Sequence, residues 1–245
     1  ERIKSLQFAL DDPEVKAIIF ARGGYGTTRI LDHIVFDEFL KKPKWLVGFS
    51  DLTSLLLHVS ALGIPSIHGP VALTIGKDKA SDDYLKALLF GKLSFDYPLT
   101  SSAFTQEGSC TGKIVGGNLT LIHESIGAAN EIETFGNILF LEEVGEAKYS
   151  VDRMLNKLKR TGKLDKLTGL IVGSFSSISD HQMYFKESID EMLYRYFSPL
   201  KIPMVFGLSA GHEKLNYPLI VGAKATVTCS QQVLSIQYLD QETSN

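Results

Sequence analysis

The sequence predicts an α/β protein whose first third is a parallel sheet with helical crossovers and whose second half mixes strands and helices. Three observations carry this reading. Short β-branched and aromatic runs alternate with helical patterns up to about residue 75, and strands separated by helices join in parallel. The rhythm weakens over residues 76–110. It resumes from residue 111 and ends in a tail of alternating apolar residues. The expected organisation is an N-terminal α/β domain over 1–75, a connection over 76–110 and a C-terminal β/α domain over 111–245.

Each element has its own signal. Glu1 to Leu10 places Ile3, Leu6 and Leu10 on one face and reads as the end of a helix already under way, so upstream sequence is expected. Val15 to Phe20 predicts a strand, followed by the loop Arg22-Gly23-Gly24-Tyr25-Gly26 and a helix from Thr27 or Thr28 carrying Ile30, Leu31 and Ile34. Trp45 to Phe49 predicts a second strand. Ser50-Asp51 then opens a helix with Leu52, Leu55, Leu56, Val59 and Leu62 facing inward, and Ile64 to Ile67 predicts a third strand ending in His68-Gly69-Pro70. Ser81 is the expected cap of a helix running to Phe90. The polar stretch Ser94 to Gly108 reads as connection.

In the second half, Lys113 to Val115 predicts a strand that meets Gly116-Gly117-Asn118 and a helix from Leu119 to about Ile126. Ile138 to Leu141 predicts a strand ending in Glu142-Glu143. A helix capped by Ser150 follows, then a strand at Leu170 to Val172, a helix near Glu187 to Phe197 and a strand at Met204 to Phe206. Leu219 to Tyr238 reads as β-hairpins.

Composition excludes several classes. The 245 residues hold 25 Lys and Arg against 28 Asp and Glu, a net charge of -3, with no basic block for nucleic acid or an anionic membrane. The apolar runs are too short to span a bilayer. Cys110 and Cys229 stand alone, without a CxxC or CxxH neighbour, and read as buried free thiols of a reducing compartment, with a single disulfide as the alternative. The six histidines form no HxxxH or HExxH pair, so a metal site has little support.

Four places could carry chemistry. Ser50 sits where a buried strand turns into a helix, so unpaired N–H groups, that of Asp51 among them, would face an oxyanion. A serine here also caps helices, and the segment alone favours the cap, because Gly48-Phe49-Ser50-Asp51 lacks the second glycine of a G-x-S-x-G elbow. The glycine loop lacks the third glycine of a dinucleotide fingerprint. It is either a tight turn or a bare backbone that approaches a substrate. Glu142 shares a strand face with Ile138 and Phe140, where a carboxylate can orient a histidine, while Glu143 points the other way, towards solvent; the segment alone favours both as surface charges at a strand end. His212, in a loop after a strand, and His68, at a strand end, compete as base. His58 and His123 fall in helices, and His33 and His181 read as surface positions.

Taken together, Ala21-Arg22-Gly23-Gly24-Tyr25-Gly26, Gly48-Phe49-Ser50-Asp51 and His68-Gly69-Pro70 resemble the murein tetrapeptide LD-carboxypeptidase family. The similarity continues through Gly116-Gly117-Asn118-Leu119, Leu139-Phe140-Leu141-Glu142-Glu143-Val144, Asp152-Arg153 and Gly211-His212. The resemblance implies a catalytic triad of Ser50, Glu142 and His212, with His68 in support. It implies oxyanion donors at Asp51 and in the Gly23-Gly24 turn, and Arg22, Tyr25 and Asn118 as substrate-binding candidates. It also implies a cytoplasmic homodimer, without metal or cofactor, that releases the terminal D-Ala of a muramyl tetrapeptide during peptidoglycan recycling. The implied fold is an N-terminal doubly wound domain, here lacking its first strand and helix, and a C-terminal swivelling β/α domain. The family also includes the microcin self-immunity peptidases, which cleave a peptidyl-nucleotide analogue and form the alternative reading. A dinucleotide-dependent enzyme and a non-catalytic binding module are the rivals outside the family.

Overall fold

The expected alternation of strand and helix is present from the first residues. The computed structural model describes residues 1–180 and 185–239, so the reading of His181 lies outside the described residues. The chain begins with α1 (Arg2–Asp11), β1 (Ala17–Ile19), α2 (Thr28–Leu31), α3 (Asp37–Lys41) and β2 (Trp45–Gly48). A single 3-10 turn (Ser50–Leu52) leads into α4 (Thr53–Ala61), then β3 (Ser66–His68). Strands β1, β2 and β3 pair in parallel. This follows from their helical crossovers, since a parallel partner cannot be reached through a tight hairpin.

The middle of the chain differs from expectation. The helix expected up to Phe90 is present as α5 (Lys79–Leu89), but the stretch Ser94 to Gly108, read as a polar connection, holds a true strand, β4 (Ser94–Pro98). The period-two signal is short: Phe95 and Tyr97 are buried while Ser94, Asp96 and Pro98 point out. The cap of α5 is Asp78, whose side chain accepts from Ser81 N, so Ser81 lies inside the helix.

Next come β5 (Gly108–Asn118), α6 (Leu119–Ser125), β6 (Ile138–Val144), α7 (Lys148–Arg160), β7 (Gly169–Ser176), α8 (Ile189–Phe197) and β8 (Met204–Val205). Ala147 precedes α7 at the cap position, which moves Ser150 into the first turn. The chain closes with β9 (Leu219–Val221), β10 (Lys224–Ser230) and β11 (Val233–Tyr238). Only β10 and β11 form the expected hairpin. Strand β9 returns to the first sheet and pairs antiparallel with β3, giving the order β1-β2-β3-β9. The second sheet runs β4-β11-β10-β5-β6-β7-β8, parallel from β5 to β8. The result is mixed α/β with parallel-rich sheets in two domains.

Strand β6 lies between two cores. Ile138 and Phe140 belong to the core that contains the first sheet, whereas Leu139 and Leu141 belong to the one under α6, α7 and α8. Alternation along one strand thus points successive side chains to different halves of the molecule. Cys110 and Cys229 are free thiols, and burial pushes the Cys110 thiol up to about 11. Among the described residues no helix is long and apolar enough to cross a membrane.

Candidate active site

The turn after β2 sets the first side chain. Ser50 has φ 65°, a left-handed conformation that costs a non-glycine residue energy and recurs at functional sites. Its hydroxyl makes no cap bond, and neither the 3-10 turn nor α4 has a side-chain cap, so the capping role does not explain this serine. Two close approaches make the turn possible. A Cβ on Gly23 would lie 2.8 Å from Ser50 Cβ and 3.0 Å from its Oγ, so only a bare backbone can back the serine this tightly. A Cβ on Gly48 would meet the Leu52 side chain, with Leu52 Cβ at 3.1 Å. Leu52 occupies the place of the missing second glycine because only one of the two crowded positions has to be bare.

Asp51 joins this turn to the glycine loop. Its carboxylate, 6% exposed, accepts from Thr27 N at 2.9 Å and from Thr27 Oγ1 at 2.7 Å. Sequence reasoning used only the Asp51 N–H and missed this tie; an acid directly after the serine and a threonine closing the loop were its only signal. The Asp51 N–H opens the 3-10 turn, where a helix leaves its first donors free. Gly24, at φ 131°, has open space on its Cβ side. Arg22 and Tyr25 are exposed on the same loop. An open cavity of about 590 Å³ runs from Arg22, Gly23, Thr27 and Asp51 towards Arg2 and Ser5. It lies between the loop and α1, and neither Ser50, Glu142 nor His212 lines it.

The second half of the site is built from buried side chains. Glu142 is wholly buried at the end of β6, and its Oε2 accepts from His212 Nδ1 at 2.7 Å. Burial alone would push this carboxyl up; the His212 hydrogen bond and the nearness of His68 outweigh it and hold the group below the usual glutamate range. Opposite Glu142 the β6–β7 register shifts, between Leu141 and Glu143. Such irregularities re-aim side chains beside active sites. The His212 loop is fixed by Asn216, whose Oδ1 accepts from Gly211 N at 2.9 Å and whose N–H donates to Ser81 Oγ at 2.9 Å. Sequence reasoning missed Asn216.

The two halves meet through Phe49. Its ring lies 4.8 Å from that of His212, which brings the residue before Ser50 against the histidine. No hydrogen bond joins Ser50 to His212 in this structure. His68 is also wholly buried, with Nε2 3.9 Å from Glu142 Oε1, so both competing histidines flank one carboxylate.

Glu143 differs from expectation. It does point the other way, but it is 2% exposed rather than solvated. It accepts from Asn118 Nδ2, Thr120 N, Thr120 Oγ1 and Val144 N at 2.8–2.9 Å. Burial pushes its carboxyl above the ordinary range in spite of these donors. Asn118 caps α6 through Oδ1 and holds Glu143 through Nδ2, so both ends of its amide are engaged within the fold. Among the described residues no group of three or more His, Cys, Asp or Glu side chains is placed to hold a metal ion.

Residues 1–69 match the LD-carboxypeptidase N-terminal domain, and residues 111–227 match the LD-carboxypeptidase C-terminal domain. The "Probable murein peptide carboxypeptidase" of Bacillus subtilis is 35% identical over 248 residues, covering 97% of this chain and 76% of that protein. The chain belongs to the LD-carboxypeptidase family. A second relative, the murein tetrapeptide carboxypeptidase of Pseudomonas aeruginosa, is 28% identical, covering 88% of this chain and 73% of that one. The crystal structure of muramoyltetrapeptide carboxypeptidase from Oxalobacter formigenes superposes with TM-score 0.86 at 30% identity, covering 99% of this chain and 84% of that one. The microcin C7 self-immunity protein MccF shares the fold, with TM-score 0.85 at 22% identity, covering 99% of this chain and 81% of that one.

Proposed function

We propose that this LD-carboxypeptidase family member is a serine hydrolase in which Ser50, Glu142 and His212 release the terminal D-Ala of a muramyl tetrapeptide. The observation that carries the reading is the part-buried Glu142–His212 hydrogen bond set beside the strained Ser50 turn. His212 takes the Ser50 proton through Nε2 while Glu142 fixes its tautomer and stabilises its cation. Ser50 Oγ attacks the carbonyl of the L-centre. The N–H groups of Asp51 and of Gly23 or Gly24 receive the oxyanion. His212 then protonates the departing D-Ala amine, and water attacks the acyl-serine to free the enzyme. Arg22 and Tyr25, exposed on the loop that backs Ser50, are placed to meet the peptide.

Cytoplasmic recycling of peptidoglycan peptides by a homodimer is the setting we propose for this activity. Mass spectrometry after incubation with a UDP-linked muramyl tetrapeptide tests it, and loss of one alanine is the expected result. An intact tetrapeptide together with cleavage of a peptidyl-adenylate analogue would replace this reading with the self-immunity type.

A further inference from the structure

Glu142 is a buried carboxylate with only one of its two oxygens engaged. Oε2 carries the His212 hydrogen bond, while Oε1 has no hydrogen-bond partner among the described residues. A buried charge is costly when its acceptors go unmet, so the surroundings of Oε1 carry consequence. The group facing it is His68 Nε2 at 3.9 Å, beyond hydrogen-bond range yet close enough for a small shift to close the gap. Both ring nitrogens of His68 also lack hydrogen-bond partners among the described residues, and both side chains are 0% exposed.

The ring is held in place by its neighbours. His68 ends β3; the Phe140 ring meets its edge at 4.8 Å and the Phe49 ring lies 6.0 Å away. On β5, a Cβ at Gly117 would meet the Thr53 side chain at 2.9 Å and would lie in ordinary contact, at 3.5 Å, with His68 Cδ2. None of these groups titrates. Of the neighbouring acids, Asp51 turns to Thr27 and Glu143 to Asn118 and Thr120. Glu142 is the charge His68 faces, and His212 shares it.

We infer that His68 is a positioning residue for the proposed triad: it offers Nε2–H to Glu142 Oε1 and holds the carboxylate square to His212. The proton of Ser50 still passes to His212, and none moves to His68. Glu142 is thereby gripped from both halves of the molecule, by His68 from the first sheet and by His212 from the second.

The inference rests on the triad reading, and the test separates the two. Wild type, Ser50→Ala, His68→Leu, His68→Gln and His68→Asn are compared on UDP-linked muramyl tetrapeptide, with kcat, KM and the pH profile of kcat/KM measured for each. In His68→Leu we expect kcat to fall roughly 10- to 100-fold, the order lost when an outer residue that orients a functional side chain is removed, as around metal-bound ligands, with KM within about twofold. Glu142 would then act on His212 alone, so the acid limb of kcat/KM should move to higher pH. A Gln amide reaches the place of Nε2 and an Asn amide that of Nδ1, so Gln should restore most of the rate and Asn should not. Equal rates for Gln and Asn, or parental kcat with an unmoved acid limb in His68→Leu, overturn the inference even if Ser50→Ala is inactive. An active Ser50→Ala instead removes the triad reading itself.

Discussion

The nucleophile side and the base side of the site are made of different materials. Around Ser50 the geometry comes from backbone: a left-handed φ, two glycines that leave room, and one carboxylate tying loop to turn. Around His212 it comes from side chains withdrawn from water, namely Glu142, Glu143, His68, Asn118 and Asn216. Backbone geometry is sensitive to added volume, and a buried polar set is sensitive to lost charge or lost hydrogen bonds. A methyl group should therefore injure the first side, and an isosteric change of charge the second.

The largest expected effect removes the reacting atom. Ser50→Ala should lower kcat by roughly four to six orders of magnitude while leaving thermal melting close to the parent's; activity within tenfold would take Ser50 out of the chemistry. Glu142→Gln, nearly isosteric, should cost about 10³- to 10⁴-fold in kcat, the scale seen when the acid of a triad is neutralised. Its stability should also respond to pH in a defined sense. A carboxyl held below its usual range stabilises the fold above the ordinary value of 4.5, and that contribution is lost as pH falls through the lowered folded value. The melting difference between parent and Glu142→Gln should thus be widest above pH 4.5 and narrow with acid. A difference that grows with acid would reverse the sign assigned here.

Smaller effects test the backbone side. Gly23→Ala adds one carbon against Ser50 and should cost about 10²-fold in kcat by displacing the nucleophile, with KM changed less. Parental kcat would show that the loop can retreat freely. Asp51→Ala removes two charge-assisted hydrogen bonds to Thr27 and should destabilise the fold by about 1.5–3 kcal/mol in chemical denaturation. The smallest expected effect is none: EDTA should leave the rate unchanged, and loss restored by zinc would contradict the triad reading.

How far the sequence can be read follows the same division. The alternation of Ile138, Phe140 and Glu142 against Leu139, Leu141 and Glu143 is local, so the face carrying Glu142 is legible in that segment alone. The burial of Glu143 is not, because its four donors come partly from Asn118 and Thr120, more than twenty residues earlier in the chain. Ser50 is ambiguous for a related reason. Whether it caps a helix or is strained open depends on Gly23 lying against it, a contact between separate loops. Helix starts are misplaced where two capping residues stand close together, as with Asp78 and Ser81. Strand β4 escapes the pattern because only Phe95 and Tyr97 mark it, and its pairing with β11 lies far along the chain.

Strand β9 has one more effect. Seven residues after His212 the chain reaches Leu219, which crosses into the first sheet and pairs with His68 at the end of β3. The first sheet is therefore not continuous in sequence, and its edge is supplied by the segment that also carries the histidine loop. Loosening β9 would free the flank of β3 and slacken the histidine loop in one event. The two domains should consequently exchange their amide hydrogens as one cooperative unit around β3 and β9, with the reactive geometry lost when that seam opens.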